Sequence, residues 1–336
     1  MEKNIPINPT YHEVINDFAK KWEENRTEKY KEYRRKWVES PKNFIVEEAP
    51  IHLDIEVTNQ CNLKCPMCPR TILVNNNNKD YQTGIMDINT FKDIIDEASE
   101  IGVYSIKLNW MGEPLIHPNI VQMVKYAKEK GIVDVMFNTN AVLLDEKISK
   151  ELIEGGLDKI FFSFDSPIKE NYEKIRIGAR FEDTLNNIKK IIEIRKKLNK
   201  DTPLTRVSMV LMEDNKKEYK KFVDLFKDIV DVVSYGDYSD ASGKEFFQED
   251  YVDNFSCSQL WQRMTVTWNG DVLPCCGDIN KEYIVGNIHN ETIKKIWHSN
   301  KFGKIRELHE QGQFAKISSC RKCDMPIISK KSDGSV

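Results

Sequence analysis

The sequence predicts an α/β fold: an incomplete TIM-type barrel of six β–α units, (β/α)6, followed by a small C-terminal domain. Three observations predict it. Short β-rich runs alternate with segments whose apolar residues recur at helical spacing, the alternation stops after about Gly236, and a probable hairpin with clustered cysteines takes its place.

Taken in order, the chain opens with a charged stretch, Asp17 to Ser40. It places Phe18, Trp22, Tyr30, Tyr33 and Trp37 roughly on one helical face, which predicts a helix docked on the barrel or, alternatively, a contact for a partner or substrate. The six predicted strands are Ile51 to Val57, Tyr104 to Trp110, Ile132 to Phe137, Lys159 to Phe164, Leu204 to Leu211 and Asp231 to Tyr235. The helical patterns between them run from Asn89 to Ile101, Asn119 to Lys130, Asp145 to Glu154, Phe181 to Leu198 and Asn215 to Ile229. Repeated β–α units imply parallel strands joined by right-handed crossovers. Six units are too few for a full eight-fold barrel, and the site of such a barrel is at the C-terminal ends of its strands. Met264 to Trp268 and Val272 to Cys275 then read as a hairpin turned by Asn269-Gly270-Asp271. Asn75 to Asn78 reads as a loop and Lys330 to Val336 as a loose tail. The predicted division is residues 1–50 as a helical extension, 51–238 as the barrel, 239–328 as the small domain and 329–336 as the tail.

Composition excludes several classes. In 336 residues, Lys+Arg 50 against Asp+Glu 53 leaves a formal charge of −3. That gives none of the basic excess that binds nucleic acid. No apolar run approaches the ~20 residues that cross a bilayer, and Met1 to Pro9 lacks the order of a signal peptide, so no membrane partner and a cytoplasmic location are expected. In a reducing cytosol the eight cysteines, grouped at 61/65/68, 257, 275/276 and 320/323, read as metal ligands rather than disulfides.

Cys61-x3-Cys65-x2-Cys68 follows the first strand and puts three thiolates on one loop at the barrel mouth. Three thiolates on a four-iron cluster leave one iron open to an outside chelator, whereas a structural zinc site wants four ligands. The segment Cys61-Asn62-Leu63-Lys64-Cys65-Pro66-Met67-Cys68, preceded by Glu56-Val57-Thr58, resembles the C-x3-C-x2-C motif of the radical S-adenosylmethionine (SAM) superfamily. The resemblance implies a [4Fe–4S] cluster on Cys61, Cys65 and Cys68, with the amino and carboxylate groups of SAM on the open iron. One electron from the cluster then releases a 5′-deoxyadenosyl radical. It further implies a reducing electron donor such as flavodoxin or ferredoxin.

Later strand ends carry further matches in the family's order. Trp110-Met111-Gly112-Glu113-Pro114 resembles its G-G-E-P, with Met111 in place of the first glycine; Gly112 and Glu113 are then contacts for the methionine ammonium. Asn138-Thr139-Asn140-Ala141 resembles T-N-G, and Ser163-Phe164-Asp165 resembles the ribose-binding segment. Short polar side chains can bond ribose hydroxyls; the alternatives are a helix cap for Ser163 and Asp165 and a turn for Asn140. Arg176 matches an arginine near the SAM carboxylate, against which stands a surface ion pair. Val210 and Leu211, with the Met67 backbone, could frame the adenine or simply fill the core.

Cys257-x17-Cys275-x44-Cys320-x2-Cys323, with Gly270-x4-Cys275, resembles the SPASM/twitch auxiliary-cluster domain. Its spacing is similar to the short twitch type found in aminocyclitol dehydrogenation in butirosin biosynthesis. Four ligands imply one auxiliary [4Fe–4S] cluster, the alternative being a zinc knuckle. Cys276 is left over: it could replace Cys275 as ligand, donate a hydrogen atom to a substrate radical, or stay inert.

These parts suggest hydrogen abstraction from a small-molecule substrate. The resemblance favours oxidation of a hydroxyl-bearing compound of sugar or aminocyclitol type. Epimerisation through Cys276, peptide maturation and a non-enzymatic zinc-binding scaffold are the alternatives. No His or carboxylate stands out as a general base, and His289 and His298 read as surface residues.

Overall fold

The computed structural model describes residues 3–7, 12–75, 81–238 and 254–327. The run Asn76 to Asn78, the junction near residue 240 and the tail from residue 329 lie outside the described residues.

All six predicted strands form. They are β2 (His52–Ile55), β3 (Ser105–Lys107), β4 (Asp134–Thr139), β5 (Lys159–Ser163), β6 (Leu204–Leu211) and β7 (Val232–Asp237). Each pairs in parallel with the next. Alternation decides their two faces. Leu53, Ile55, Val57, Val135, Phe137, Ile160, Phe162 and Val207 share one core with helix residues such as Ile94, Val124, Ile153, Ile188 and Phe222. Among the intervening positions Met136 and Phe161 are apolar, but Asp54 is polar and accepts ion pairs from Lys107 at 3.0 Å and Arg263 at 3.3 Å.

The helices are α1 (Asp17–Glu24), α2 (Glu28–Lys42), α3 (Pro69–Asn75), α4 (Ile88–Ile101), α5 (Ile120–Glu129), α6 (Glu146–Glu154), α7 (Lys169–Ile175), α8 (Phe181–Lys197) and α9 (Tyr219–Phe226). Four short helices follow in the C-terminal part: α10 (Gln259–Gln262), α11 (Ile293–Trp297), α12 (Asn300–Glu310) and α13 (Ser318–Arg321).

The expected N-terminal helix is two, because Asn25 ends α1 and the Thr27 hydroxyl caps α2 by accepting from the Tyr30 amide. Trp22, Tyr30, Tyr33 and Trp37 pack with Ile51 as predicted. Phe18 does not join them: it is 39% exposed, under the Arg195 guanidinium at 4.8 Å. Lys159, the first residue of β5, binds Asp134 at 2.6 Å and the Tyr30 hydroxyl at 3.0 Å. Arg26 binds Asp158 at 2.6 Å. The extension therefore covers the N-terminal ends of the strands and leaves the opposite mouth to the loops.

Three strand pairings are not in the sequence reading. A short β1 (His12–Ile15) runs antiparallel to β7. The hairpin strands β8 (Arg263–Val266) and β9 (Asp271–Leu273) form, with Gly270 at φ +88° in their turn, but β8 also pairs in parallel with β2. With β10 (Gly286–Asn287) paired to β9, the result is one open ten-stranded sheet, ordered β1-β7-β6-β5-β4-β3-β2-β8-β9-β10. Among the described residues no helix is long and apolar enough to cross a membrane.

Candidate active site

The cysteine loop leaves the end of β2 and is anchored before its first thiol. Thr58 Oγ1 donates to the Gly84 carbonyl at 2.7 Å, Asn59 Oδ1 accepts from the Gly84 amide at 2.8 Å, and Arg70 Nε donates to the Asn59 carbonyl at 2.6 Å. The Leu63 amide points at Cys61 Sγ from 3.4 Å. Burial pushes the Cys61 thiol up to about 11 and raises that of Cys65 as well. Free thiols here are protonated, and a bound metal centre is what would hold them as thiolates.

The predicted SAM-site residues outside this loop lie at or after the ends of β3, β4, β5 and β6, with Arg176 following α7. Gly112 packs its α-carbon directly on the loop, and the Glu113 amide donates to the Gln60 carbonyl at 2.8 Å. The Glu113 side chain is 3% exposed and accepts from Thr139 Oγ1 at 2.7 Å, the Asn140 amide at 2.8 Å and the Leu115 amide at 3.2 Å. Burial nevertheless raises its carboxyl to about 7. Asn140 Nδ2 donates to Asn62 Oδ1 at 2.8 Å and lies 3.9 Å from Cys61 Sγ, while its Oδ1 accepts from the Val142 amide at 3.0 Å and so closes the turn too.

Asp165 spends its carboxylate inside the protein: Oδ2 binds Arg176 at 2.6 Å and Oδ1 accepts from the Val210 amide at 2.9 Å. Arg176 is thereby held with Nη1 3.9 Å from Cys65 Sγ. It is not the surface ion pair of the alternative reading, because both partners are largely buried. Ser163 stands in register with Ser208, whose hydroxyl meets that of Ser234 at 2.8 Å. Tyr238, missed in the sequence, joins the remaining pieces. Its amide donates to the Leu211 carbonyl at 3.1 Å and its hydroxyl to the Met67 carbonyl at 3.2 Å.

Glu56 is a second missed residue. It is 1% exposed, accepts from the Trp268 amide at 3.3 Å, and its Oε1 has no hydrogen-bond partner. Burial lifts its carboxyl from 4.5 to about 7. The folded state therefore favours the protonated form, so Glu56 costs stability as pH rises from about 4.5 to about 7, and the loss is complete above that. Glu56→Gln in metal-free protein should gain on wild type, on the order of 2–3 kcal/mol, between about pH 5 and about pH 8. Parallel melting curves at the two pH values would show it, and an unchanged gap would place Glu56 in water.

The second thiol group lies beside this mouth. Cys257, Cys275, Cys276, Cys320 and Cys323 are near enough to feel one another's charge. Burial first, then mutual repulsion, lifts Cys257 to about 11, Cys323 to about 12, and Cys275 and Cys320 well above the thiol range. Among the described residues no three His, Cys, Asp or Glu side chains converge on a single ion. Thiolates of an iron–sulfur cluster each take a separate iron, so both groups fit a cluster's donor set without a common point. Trp110, also missed, donates from Nε1 to the Cys276 carbonyl at 2.8 Å, and Cys276 Sγ donates to Gln259 Oε1 at 3.4 Å. His289 and His298 are exposed, as expected. Glu56 and Trp110 only flank the matched motifs and Tyr238 belongs to none, so the adjacency of the first two to those motifs was the one readable signal.

Comparison with known proteins agrees with this geometry. The chain matches the radical SAM superfamily over residues 55–226 and an iron–sulfur cluster-binding SPASM domain over residues 257–324. It belongs to the radical SAM superfamily. The family binds SAM and a [4Fe–4S] cluster, and the SPASM domain adds an auxiliary iron–sulfur cluster. One relative is a tungsten-containing aldehyde ferredoxin oxidoreductase cofactor-modifying protein of Pyrococcus furiosus, 24% identical over 84% of this chain and 90% of its own. Another is the SAM-dependent 2-deoxy-scyllo-inosamine dehydrogenase of Niallia circulans, 24% identical over 81% of this chain and 92% of its own. Among solved structures, BtrN in complex with AdoMet and 2-DOIA superposes with a TM-score of 0.55 at 24% identity, covering 81% of this chain and 92% of that one.

Proposed function

We propose that this radical SAM enzyme dehydrogenates a hydroxyl-bearing small molecule of sugar or aminocyclitol type. The observation that carries the reading is the Trp110–Cys276 hydrogen bond of 2.8 Å, which ties the auxiliary thiols to the segment preceding Gly112 and Glu113. An electron acceptor held there is next to the place where a substrate radical would arise, and the Niallia dehydrogenase supports oxidation as the outcome.

Cys61, Cys65 and Cys68 would hold the cluster whose electron cleaves SAM to methionine and the 5′-deoxyadenosyl radical. Gly112 and Glu113 take the methionine ammonium, Arg176 its carboxylate, and Ser163 and Asn140 the ribose. Met67, Val210 and Leu211 frame the adenine. Asp165 acts as a positioning residue, because its oxygens are committed to Arg176 and the Val210 amide. Cys257, Cys275, Cys320 and Cys323 would hold the auxiliary cluster. Oxidation balances as one hydrogen atom from the carbinol carbon to the adenosyl carbon, one proton from the hydroxyl to solvent, and one electron, which a cluster held by these four cysteines would accept. A flavodoxin or ferredoxin supplies the reducing electron for the next cleavage.

Radical epimerisation is the second reading, because Cys276 keeps a half-buried thiol beside the four ligands. Anaerobic turnover of 2-deoxy-scyllo-inosamine and related aminocyclitols in D2O separates the two. Dehydrogenation gives a product two mass units lighter, with no solvent deuterium at the oxidised carbon, and survives Cys276→Ala. A product carrying one deuterium at carbon, absent from the Cys276→Ala reaction, would overturn oxidation in favour of epimerisation.

A further inference from the structure

His309 is a buried group that neither the family match nor the cysteine spacing assigns. It lies on α12, 1% exposed, wedged between Phe255 and Phe314 with ring centroids 6.4 and 5.9 Å away. Its two nitrogens face different cysteines. Nδ1 is 3.2 Å from the backbone nitrogen of Cys257, and Nε2 is 3.4 Å from Cys320 Sγ. A peptide N–H can only donate, so Nδ1 must accept. In a neutral imidazole the one ring proton is then on Nε2, aimed at the Cys320 sulfur. A flipped ring would put carbon against both partners, so the Cys257 amide fixes the orientation as well as the tautomer.

We propose that His309 is a positioning residue that tunes the auxiliary centre, donating its Nε2–H to the sulfur of Cys320 while the Cys257 amide locks the ring. The inference rests on the reading of Cys257, Cys275, Cys320 and Cys323 as ligands of one iron–sulfur cluster. A donor to a ligand sulfur stabilises the more negative, reduced cluster more than the oxidised one, and so raises its potential. That is the direction an acceptor of the substrate electron requires. Phe255 and Phe314, which flank this ring, also pack against Cys257 and Cys320.

The test uses full-length protein carrying Cys61→Ala, Cys65→Ala and Cys68→Ala, so that the auxiliary cluster is the one centre titrated. His309→Phe should keep the iron and sulfide content but shift the reduction equilibrium about tenfold toward the oxidised form, which is ~59 mV lower for one electron. His309→Gln, which restores an N–H donor, should recover part of that shift. Independently of any variant, electron–nuclear double resonance on the reduced centre should detect a strongly coupled proton that disappears in D2O. Four irons with an unmoved potential in His309→Phe, or no exchangeable proton at the centre, would overturn the role of His309 alone. Should His309→Phe fail to fold, the proton measurement on the parent decides. A parent protein holding zinc or no iron would overturn the ligand reading and this inference together.

Discussion

Replacing Cys61, Cys65 and Cys68 together by Ala is expected to abolish 5′-deoxyadenosine formation while leaving about four irons bound in the C-terminal part. The two thiol groups make the outcomes separable. The triad is on the loop after β2, held by Thr58, Asn59 and Arg70, and none of those anchors uses a thiol. The second group draws its cysteines from the segment before α10, the turn after β9, the helix α13 and the residues just past it, with the Cys323 amide donating to the Cys320 carbonyl at 3.2 Å. Removing three sulfurs from the first group leaves the backbone bonds of both in place. Iron and sulfide analysis with a chromatographic assay for 5′-deoxyadenosine checks both halves. Retained SAM cleavage would show that the open iron is elsewhere.

How far the sequence foretells this molecule depends on the range of the signal. The six barrel strands were legible because each is a short apolar run between helical patterns, and the hairpin because Asn269-Gly270 is a local turn signal. Most of the residues proposed for SAM were legible because they lie at or just past a strand end, and the parallel topology carries those ends to one mouth. The break in the N-terminal helix was also local, at Asn25 and Thr27, and was overlooked because the aromatic stripe runs on through it. What could not be read is long-range. The four residues of β1 are strand only because β7 offers an edge, and both Val14 and Ile15 stay exposed. Nothing near Arg263 announces that β8 will pair with β2, some 200 positions earlier. Trp110, Tyr238 and His309 act through hydrogen bonds to distant backbone or sulfur atoms, and such bonds leave no periodicity behind. Glu113 is the intermediate case: the motif located it, but only the fold reveals that Thr139 and Asn140 already hold its carboxylate.

Gly112→Ala is expected to cost at least ~100-fold in SAM affinity, about 2.7 kcal/mol, although it adds only a methyl group. An added Cβ would be 2.2 Å from the Thr58 carbonyl oxygen, 2.7 Å from that of Gln60 and 2.8 Å from the Thr58 carbonyl carbon. These are backbone atoms, so no side chain can swing aside to relieve the overlap. Either the segment carrying Glu113 withdraws or the loop before Cys61 does. In both cases the 2.8 Å bond from the Glu113 amide to the Gln60 carbonyl lengthens, and the Glu113 carboxylate turns away from Thr139 and the Asn140 amide. The proposed ammonium contact and the first thiol are then displaced relative to each other, which no rotamer can correct. Departure from the family's G-G-E-P at Met111 is tolerated because the close approach falls on the second glycine. Equilibrium binding of SAM to the reconstituted variant, with its iron count as control for the auxiliary thiols, measures the effect. Wild-type affinity with a full complement of iron would mean that the cysteine loop yields by more than an ångström at no cost to the site.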